Sequence, residues 1–248
     1  MASGLPKKLK KEPLIDAIFE VRFSCRVPAS MIVPGILFNA LTGEKKLESL
    51  PISQLPKNVR DADPNLKFAP ISRIDWGKYF VNVGDYSLSI SCKYPYVGWS
   101  SFKPAIITVI NALHSSNIVG MVERCAIKYV DMIPLSDNKQ KVSMINLKLG
   151  IAGHELKQEP YQLRIEIPRD GYVHAVQVVS SAKAKLHTGK EMEGLIVDID
   201  TFSLQNISMQ SLLEGFSEKL EALHASNKTM FFDCITPDAL KSLEPIYE

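Results

Sequence analysis

The sequence predicts an α+β protein made of two antiparallel-sheet halves, each with one long amphipathic helix, in a duplicated, helix-grip-like or saddle-like arrangement. Three observations lead to this prediction. Several segments alternate apolar and polar residues with a period of two, which is typical of strands with one buried face. Two longer segments repeat apolar residues at helical spacing. The order of long strand, meander and helix then starts again at residue 122, which indicates a duplication.

The composition is that of an ordinary globular protein. The chain has 248 residues, of which 46% are hydrophobic and 23% charged, and its formal net charge is +2. These values exclude disordered, collagen-like and fibrous classes, and the chain is long enough to bury a substantial core. No apolar run approaches the roughly eighteen residues that span a bilayer, so we expect a soluble, cytoplasmic protein.

The first half, residues 13–121, begins with the clearest strand of the chain. Over residues 14–23 the even positions include Asp16, Glu20 and Arg22, and the odd positions are all apolar: Ile15, Ala17, Phe19, Val21 and Phe23. A short helix is expected at residues 31–41. The segment 44–70 is rich in Pro, Lys, Asn and Asp, which predicts a surface excursion with at most one helical turn, at 52–55.

A meander and a helix complete this half. Three short strands are predicted at residues 67–74, 78–83 and 86–93, separated by glycine turns. Ser100 or Ser101 can cap the helix that follows. Its buried stripe is predicted to be Phe102, Ile106, Val109, Ile110 and Leu113.

The second half, residues 122–248, repeats the pattern. Strands are predicted at residues 122–133, 142–149, 161–167, 172–180 and 192–202. The turn at 168–171 reads Pro-Arg-Asp-Gly and predicts a hairpin. A long helix is expected at 208–225, with Met209, Leu212, Phe216, Leu220 and Leu223 on one face. Thr236 followed by Pro237 predicts the start of a short last helix.

Three segments carry a family resemblance. Residues 13–23 read P-L-I-D-A-I-F-E-V-R-F, residues 123–131 read E-R-C-A-I-K-Y-V-D, and L-E-A-L-H at 220–224 precedes Phe231-Phe232 and Ile235-Thr236. As a set they resemble a sporadically distributed family of bacterial proteins of similar length, whose opening strand reads P-[IL]-x-E-A-x-x-E-[IV]-R-F. The chain departs from the family pattern at Asp16, Lys128 and Asp131, where Glu, Arg and Asn are usual. The resemblance implies a bacterial protein without an assigned activity, carried in a mobile cassette such as one for host defence.

Charged side chains share the polar faces of the first and mid-chain strands. If these strands are neighbours, acids meet bases across the sheet in a charged strip. The strip is either a structural salt-bridge network or a groove for a polar ligand or partner. Acid and base catalysis fits less well, because carboxylates at i and i+4 of a strand are roughly 13 Å apart. The residues that we expect to contact a ligand or partner are Asp16, Glu20, Arg22, Arg124, Lys128, Tyr129 and Trp99.

Two other groups of residues suggest alternative functions. Residues 1–12 are expected to form a flexible basic arm, and four lysines in it favour a nucleic-acid-associated defence component: Lys7, Lys8, Lys10 and Lys11. Asp198 and Asp200 lie on one face of a predicted strand and could begin a magnesium site, which would favour a metal-dependent hydrolase. The same alternation is also typical of any half-exposed strand. The aromatic residues around Trp99 could stack on a base or simply close the end of a sheet.

The sequence contains few signs of catalysis. It lacks a Walker A loop, GxGxxG, HExxH and GxSxG, and its five histidines have no metal-ligand spacing. Cys25, Cys92, Cys125 and Cys234 are far apart and form no CxxC pair. We therefore expect a non-enzymatic binding module without a cofactor, which recognises a protein partner or a small ligand and could form a homo-oligomer.

Overall fold

A computed structural model describes residues 4–134, 144–156 and 159–247. The chain is a mixed α+β protein with a large antiparallel sheet, as the alternating patterns predict, and 29% of the described residues are helical and 43% are in strands. Its strands within these residues are β1 (Lys8–Leu9), β2 (Leu14–Cys25), β3 (Lys45–Ser49), β4 (Pro70–Trp76), β5 (Tyr79–Gly84), β6 (Ser87–Cys92), β7 (Val119–Ile133), β8 (Gly150–Ile151), β9 (His154–Glu155), β10 (Gln162–Arg169), β11 (Tyr172–Lys185), β12 (Glu191–Ser208) and β13 (Pro245–Ile246). Its α-helices are α1 (Val33–Ala40), α2 (Lys57–Ala62), α3 (Trp99–Ser115), α4 (Met209–Leu213), α5 (Phe216–Cys234) and α6 (Pro237–Ser242).

The chain forms two compact units that interleave in the sequence. Unit 1 comprises residues 1–16, 128–201 and 224–248, and unit 2 comprises residues 17–127 and 202–223. Strands β2, β7 and β12 and helix α5 each contribute residues to both units.

Unit 2 contains the strand order β7-β2-β6-β5-β4-β3. The pairs β2–β6, β6–β5, β5–β4 and β4–β3 are antiparallel. Alternation in β2 works as predicted over residues 17–23, where the odd positions are buried and the even ones are not. Helix α3 packs against α1 and β6. The largest fully buried side chains of this unit include Phe19, Phe23, Leu37, Ile74, Ile90, Phe102, Ile106 and Leu113.

Two details of unit 2 differ from the sequence prediction. The predicted excursion at 44–70 contains strand β3 and helix α2 in addition to the expected turn, which is a 3-10 helix at Pro51–Gln54. Helix α3 begins at Trp99, and neither Ser100 nor Ser101 caps it. Its N-cap is Gly98, whose φ of 85° lies in the left-handed region that glycine tolerates best.

Unit 1 contains the strand order β10-β11-β12-β7. Strands β10 and β11 form the predicted hairpin, with Arg169 opposite Tyr172. The two loop residues, Asp170 and Gly171, have φ values of 51° and 80°. Positive φ at both central positions is the hallmark of a type I′ turn, which Asp-Gly favours. The unit's core includes Leu9, Ile133, Met144, Val176, Val178, Leu195, Val197, Ile199, Met230 and Leu243.

The N-terminal and last segments of the chain pair with each other in unit 1. Strand β1 runs antiparallel to β13, and Leu9 is buried in the core. The predicted strand at 142–149 begins at two residues outside the described ones, and from residue 144 onward it is represented by a bridge between Ile145 and Ile235. The Thr236 side chain caps α6 by accepting a hydrogen bond from the amide of Ala239, as predicted.

The long helix predicted at 208–225 is divided in the structure. Helix α4 ends at Leu213, and α5 begins at Phe216. Gly215 lies between them with a φ of 64°, a conformation that a right-handed helix cannot contain. The predicted apolar positions are nevertheless all buried: Met209, Leu212, Phe216, Leu220 and Leu223.

Candidate functional site

The strongest site candidate is a group of three charged side chains on β2 and β7 in unit 2. Oε1 of Glu20 accepts hydrogen bonds from Nε of Arg22 and from Nη1 of Arg124, each at 2.7 Å. The strand positions explain this arrangement, because Glu20 and Arg22 both lie on the face of β2 opposite the buried Phe19 and Val21. The sequence-predicted encounter of acid and base across neighbouring strands therefore occurs between Glu20 and Arg124.

Aromatic rings support both guanidinium groups. The Arg22 guanidinium lies 4.6 Å from the centre of the Phe68 ring, and that of Arg124 lies 4.3 Å from the centre of the Phe202 ring. Stacking of this kind fixes the plane of an arginine and contributes roughly 0.5–1 kcal/mol at an exposed site. We name the five residues Glu20, Arg22, Phe68, Arg124 and Phe202 the arginine cluster.

The members of the arginine cluster differ in exposure. The side chain of Arg124 is 10% exposed, that of Glu20 22% and that of Arg22 33%. Arg22 is therefore the group that solvent or a ligand reaches most easily. Its contact with Glu20 engages Nε, which leaves the two terminal nitrogens of the guanidinium group for a planar anion such as a carboxylate or a phosphate.

Other residues of the predicted charged strip belong to unit 1. Lys128 forms an ion pair with Asp198, with Nζ and Oδ2 2.8 Å apart. The charged strip predicted that Lys128 would face an acid of the first strand. In the structure Lys128 pairs with an acid of β12. Asp16 is half-buried on β2.

Tyr129 contacts a histidine of α5 in unit 1. Its hydroxyl lies 2.8 Å from Nδ1 of His224, and the two rings meet edge to face with centroids 5.7 Å apart. Tyr129 is itself buried. A buried phenol with a nearby polar partner is typical of a structural contact, which favours a structural role for Tyr129.

Burial raises the pKa of two carboxyl groups of unit 1, Asp131 and Asp198. Burial raises the pKa of Asp131 well above its usual value, and the charges of Glu12 and Asp198 raise it further. Partial burial also raises the pKa of Asp198, although the hydrogen bond from Lys128 opposes this effect. A cation at Asp198 and Asp200 would have to displace Lys128. Among the described residues, no group of three His, Cys, Asp or Glu side chains could hold a metal ion.

The aromatic residues around Trp99 pack on the first turn of α3. The rings of Tyr79, Tyr96 and Trp99 all lie within 6.3 Å of the Phe102 ring, centroid to centroid. The indole nitrogen of Trp99 donates to Oε2 of Glu221 at 3.0 Å. These contacts favour the interpretation that the aromatic group closes the end of the sheet.

The predicted basic arm is partly held in place. Lys8 belongs to β1, and Lys11 forms an ion pair of 2.9 Å with Glu244. The amides of Lys7 and Lys10 donate to the carbonyls of Ile246 and Glu244. The four lysines are exposed, but their backbone is anchored to residues 243–246.

Two cysteines are poor candidates for nucleophiles. Burial raises the pKa of Cys125 to about 12 and that of Cys234 to about 11. Because the thiolate is the reactive form, both side chains act as small apolar groups at neutral pH.

Sequence reasoning missed the aromatic members of the arginine cluster. Phe68 lies in the segment between α2 and β4, and Phe202 lies on β12. Neither position is close in sequence to Arg22 or Arg124, so no local pattern connects them. Comparison with models of known protein families found no match, and no curated protein matches the chain. Among the helices of the described residues, none combines the length and the apolar character needed to cross a bilayer.

Proposed function

We propose that the protein is a non-enzymatic binding module, and that the arginine cluster recognises an anionic group of a partner protein or a small ligand. The observation that carries the proposal is the state of Arg22. Its guanidinium group is fixed by Glu20 and Phe68, yet a third of the side chain is exposed. A fixed guanidinium loses little conformational entropy when it binds, which favours affinity.

The chemistry of the cluster supports a planar anion as the ligand. A carboxylate or phosphate can accept two parallel hydrogen bonds from one guanidinium group, and lysine cannot reproduce this geometry. Glu20 and Arg124 act as positioning residues in this proposal. The raised thiol pKa values of Cys125 and Cys234 count against these two side chains as nucleophiles at neutral pH.

Ligand-dependent stabilisation tests the proposal. We expect inorganic phosphate, compared with chloride at the same ionic strength, to raise the thermal midpoint of the wild-type protein. At ten times the dissociation constant the stabilisation is about 1.4 kcal/mol, or roughly 3–6 °C for a chain of this size. Native mass spectrometry of the freshly purified protein would show a retained ligand directly.

Two variants make this test specific. Arg22→Lys keeps the positive charge but removes the planar donor pair, so we expect the phosphate effect to disappear. Arg164→Lys is the matched control, because Arg164 forms a similar 2.8 Å bond to Glu166 at an exposed site of β10. Equal phosphate effects in the two variants would contradict the proposal.

The duplicated architecture is part of the same proposal. In chain order, β2 is followed by the meander β4-β5-β6 and by α3, and β7 is followed by β10, β11 and β12 and by α4 and α5. The recurrence of strand, antiparallel strands and helix supports two related halves in a helix-grip-like or saddle-like scaffold. A sequence repeat detected in relatives of this chain would test it.

A further inference from the structure

Strand β3 is an edge strand with an open groove beside it. It is the last strand in the sheet order, and among the described residues β4 is its sheet neighbour. A groove of about 710 Å³ adjoins β3. The groove is lined by Gly35, Phe38 and Asn39 of α1 and by Lys45, Lys46 and Leu47 of β3.

The register of β3 shows which backbone groups face the open side. Just past the strand, the amide of Leu50 donates to the carbonyl of Ile71 at 2.8 Å, in line with the pairing of Ser49 with Ser72. In an antiparallel ladder, hydrogen-bonded pairs alternate with pairs that direct their backbone groups outward. Lys46 and Glu48 therefore bond to β4, and the amide and carbonyl groups of Lys45, Leu47 and Ser49 point to the open edge.

The side chains of β3 divide between the two faces of the sheet. Leu47 lies opposite Ile74, which is fully buried, so both side chains are on the core face. Leu47 is nevertheless 45% exposed, and Phe38 in the adjacent helix is 39% exposed. Lys46 and Glu48 project from the other face. An added strand would cover the two apolar side chains and complete the ladder.

The sequence of β3, Lys-Lys-Leu-Glu-Ser, is complementary to itself. When two copies pair antiparallel about a twofold axis at Leu47, Leu47 faces Leu47 of the other copy. Lys46 of each copy then faces Glu48 of the other, and Lys45 faces Ser49. The Lys46–Glu48 positions are non-hydrogen-bonded pairs, in which side chains approach most closely and opposite charges attract.

We propose that this edge binds a second copy of the chain, so that the protein forms a homodimer through antiparallel β3–β3 pairing. Glu48 lies 3.9 Å from Arg73 of β4 and is 40% exposed, so it can also face a base from an added strand. A second copy places an opposite charge beside both Lys46 and Glu48, whereas a uniformly acidic peptide would be attracted by Lys46 and repelled by Glu48. The dimer is independent of the arginine cluster, because β2 and β3 are separated by β6, β5 and β4 in the sheet, about 20 Å at normal strand spacing.

Charge reversal tests the pairing without any ligand. Lys46→Glu places two acids opposite each other at both contacts, and Glu48→Lys places two bases there. We expect each single variant to dimerise at least roughly tenfold more weakly than wild type in sedimentation velocity or light scattering. We expect an equimolar mixture of the two single variants to form a heterodimer, and the double variant K46E/E48K to recover the homodimer.

Controls separate this result from changes in net charge or folding. Lys78→Glu changes the net charge as Lys46→Glu does, but it lies in the turn between β4 and β5, and we expect it to remain dimeric. Leu47→Pro removes an outward amide and the leucine side chain but no hydrogen bond to β4, so it should abolish the dimer while circular dichroism stays unchanged. A monomeric wild type, or a dimer that all these variants retain, would overturn the proposal. The proposal would also be overturned if the mixture of the single variants stayed monomeric and the double variant were folded but monomeric.

Discussion

Glu20 provides the most direct test of the arginine cluster as a stable structural unit. The substitution Glu20→Gln keeps the shape of the side chain and removes the charge that Arg22 and Arg124 share. A hydrogen bond to a charged group contributes roughly 1.5–3 kcal/mol when it is buried. The bond from Arg124 belongs to this buried class, since the Arg124 side chain is only 10% exposed.

The bond from Arg22 contributes less. Its side chain is 33% exposed, and solvent screens such a pair, so we assign it about 0.5–1 kcal/mol. The sum predicts that Glu20→Gln lowers the free energy of unfolding by about 2–3 kcal/mol, after allowance for the remaining neutral hydrogen bonds. Urea denaturation would show this as a lower midpoint with an unchanged slope.

The matched control is Glu166→Gln on β10. Glu166 accepts a hydrogen bond of 2.8 Å from Arg164, two residues away on the same strand, as Glu20 does from Arg22. Both side chains of this control pair are more than half exposed. We expect a change within about 0.5 kcal/mol. Equal losses for Glu20→Gln and Glu166→Gln would refute the view that burial of Arg124 makes the cluster stable.

Three further predictions concern buried groups elsewhere in the molecule. Because burial raises the pKa of Asp131 above the unfolded value of 3.8, the folded state loses stability as pH rises from that value towards the raised pKa. Asp131→Asn should therefore be more stable than wild type at pH 7, and this difference in stability should shrink towards pH 4. Urea denaturation at both pH values measures the difference, and one that does not change with pH would contradict the prediction. Burial lowers the pKa of His174 below 6.5, so its contribution to stability is present above about pH 6.5 and is lost as pH falls through the lowered pKa. His174→Gln should remove that part of the pH dependence, measured as the wild-type-minus-variant difference between pH 5 and pH 8. A Cβ at Gly194 would lie 2.4 Å from the carbonyl oxygen of Ile133. Gly194→Ala should therefore lower the free energy of unfolding by about 1–3 kcal/mol, seen as a lower thermal midpoint. Gly35→Ala is the control: no atom lies within 4 Å of its added Cβ, and the variant should be more stable than wild type by roughly 0.5–1 kcal/mol. Two alanine variants with the same effect would contradict the contact at Gly194.

Periodicity predicts an element well when the element buries one face. Strand β2 and helix α3 are examples, because their apolar spacing records the core that they pack against. The hairpin at Asp170-Gly171 can be predicted equally well, because the preference of Asp-Gly for this turn is local in the sequence. The division of the long helix at Gly215 is harder to predict, because a single glycine inside a helical pattern is often tolerated.

The charged pairs show a different limit. Strand alternation places Glu20, Arg22 and Arg124 on polar faces, and the structure brings these three together. Alternation does not show which of several acids on polar strand faces will pair with a given base. Lys128 pairs with Asp198, on a strand about seventy residues later in the sequence. The partner of a charge depends on strand order, which the spacing of residues within one strand does not contain.

Strand β3 escaped prediction for a physical reason that also supports its proposed role. An edge strand with a half-exposed leucine and two lysines buries too little to leave a hydrophobic pattern in the sequence. Lysines at an edge oppose pairing with foreign strands. In β3 the lysine at position 46 is offset by a glutamate at 48, and this spacing restores attraction for an incoming antiparallel strand that carries the same Lys-x-Glu pattern, as a second copy does. The charged residues at positions 46 and 48 thus make β3 difficult to predict as a strand, and the same residues would make its pairing selective for a second copy.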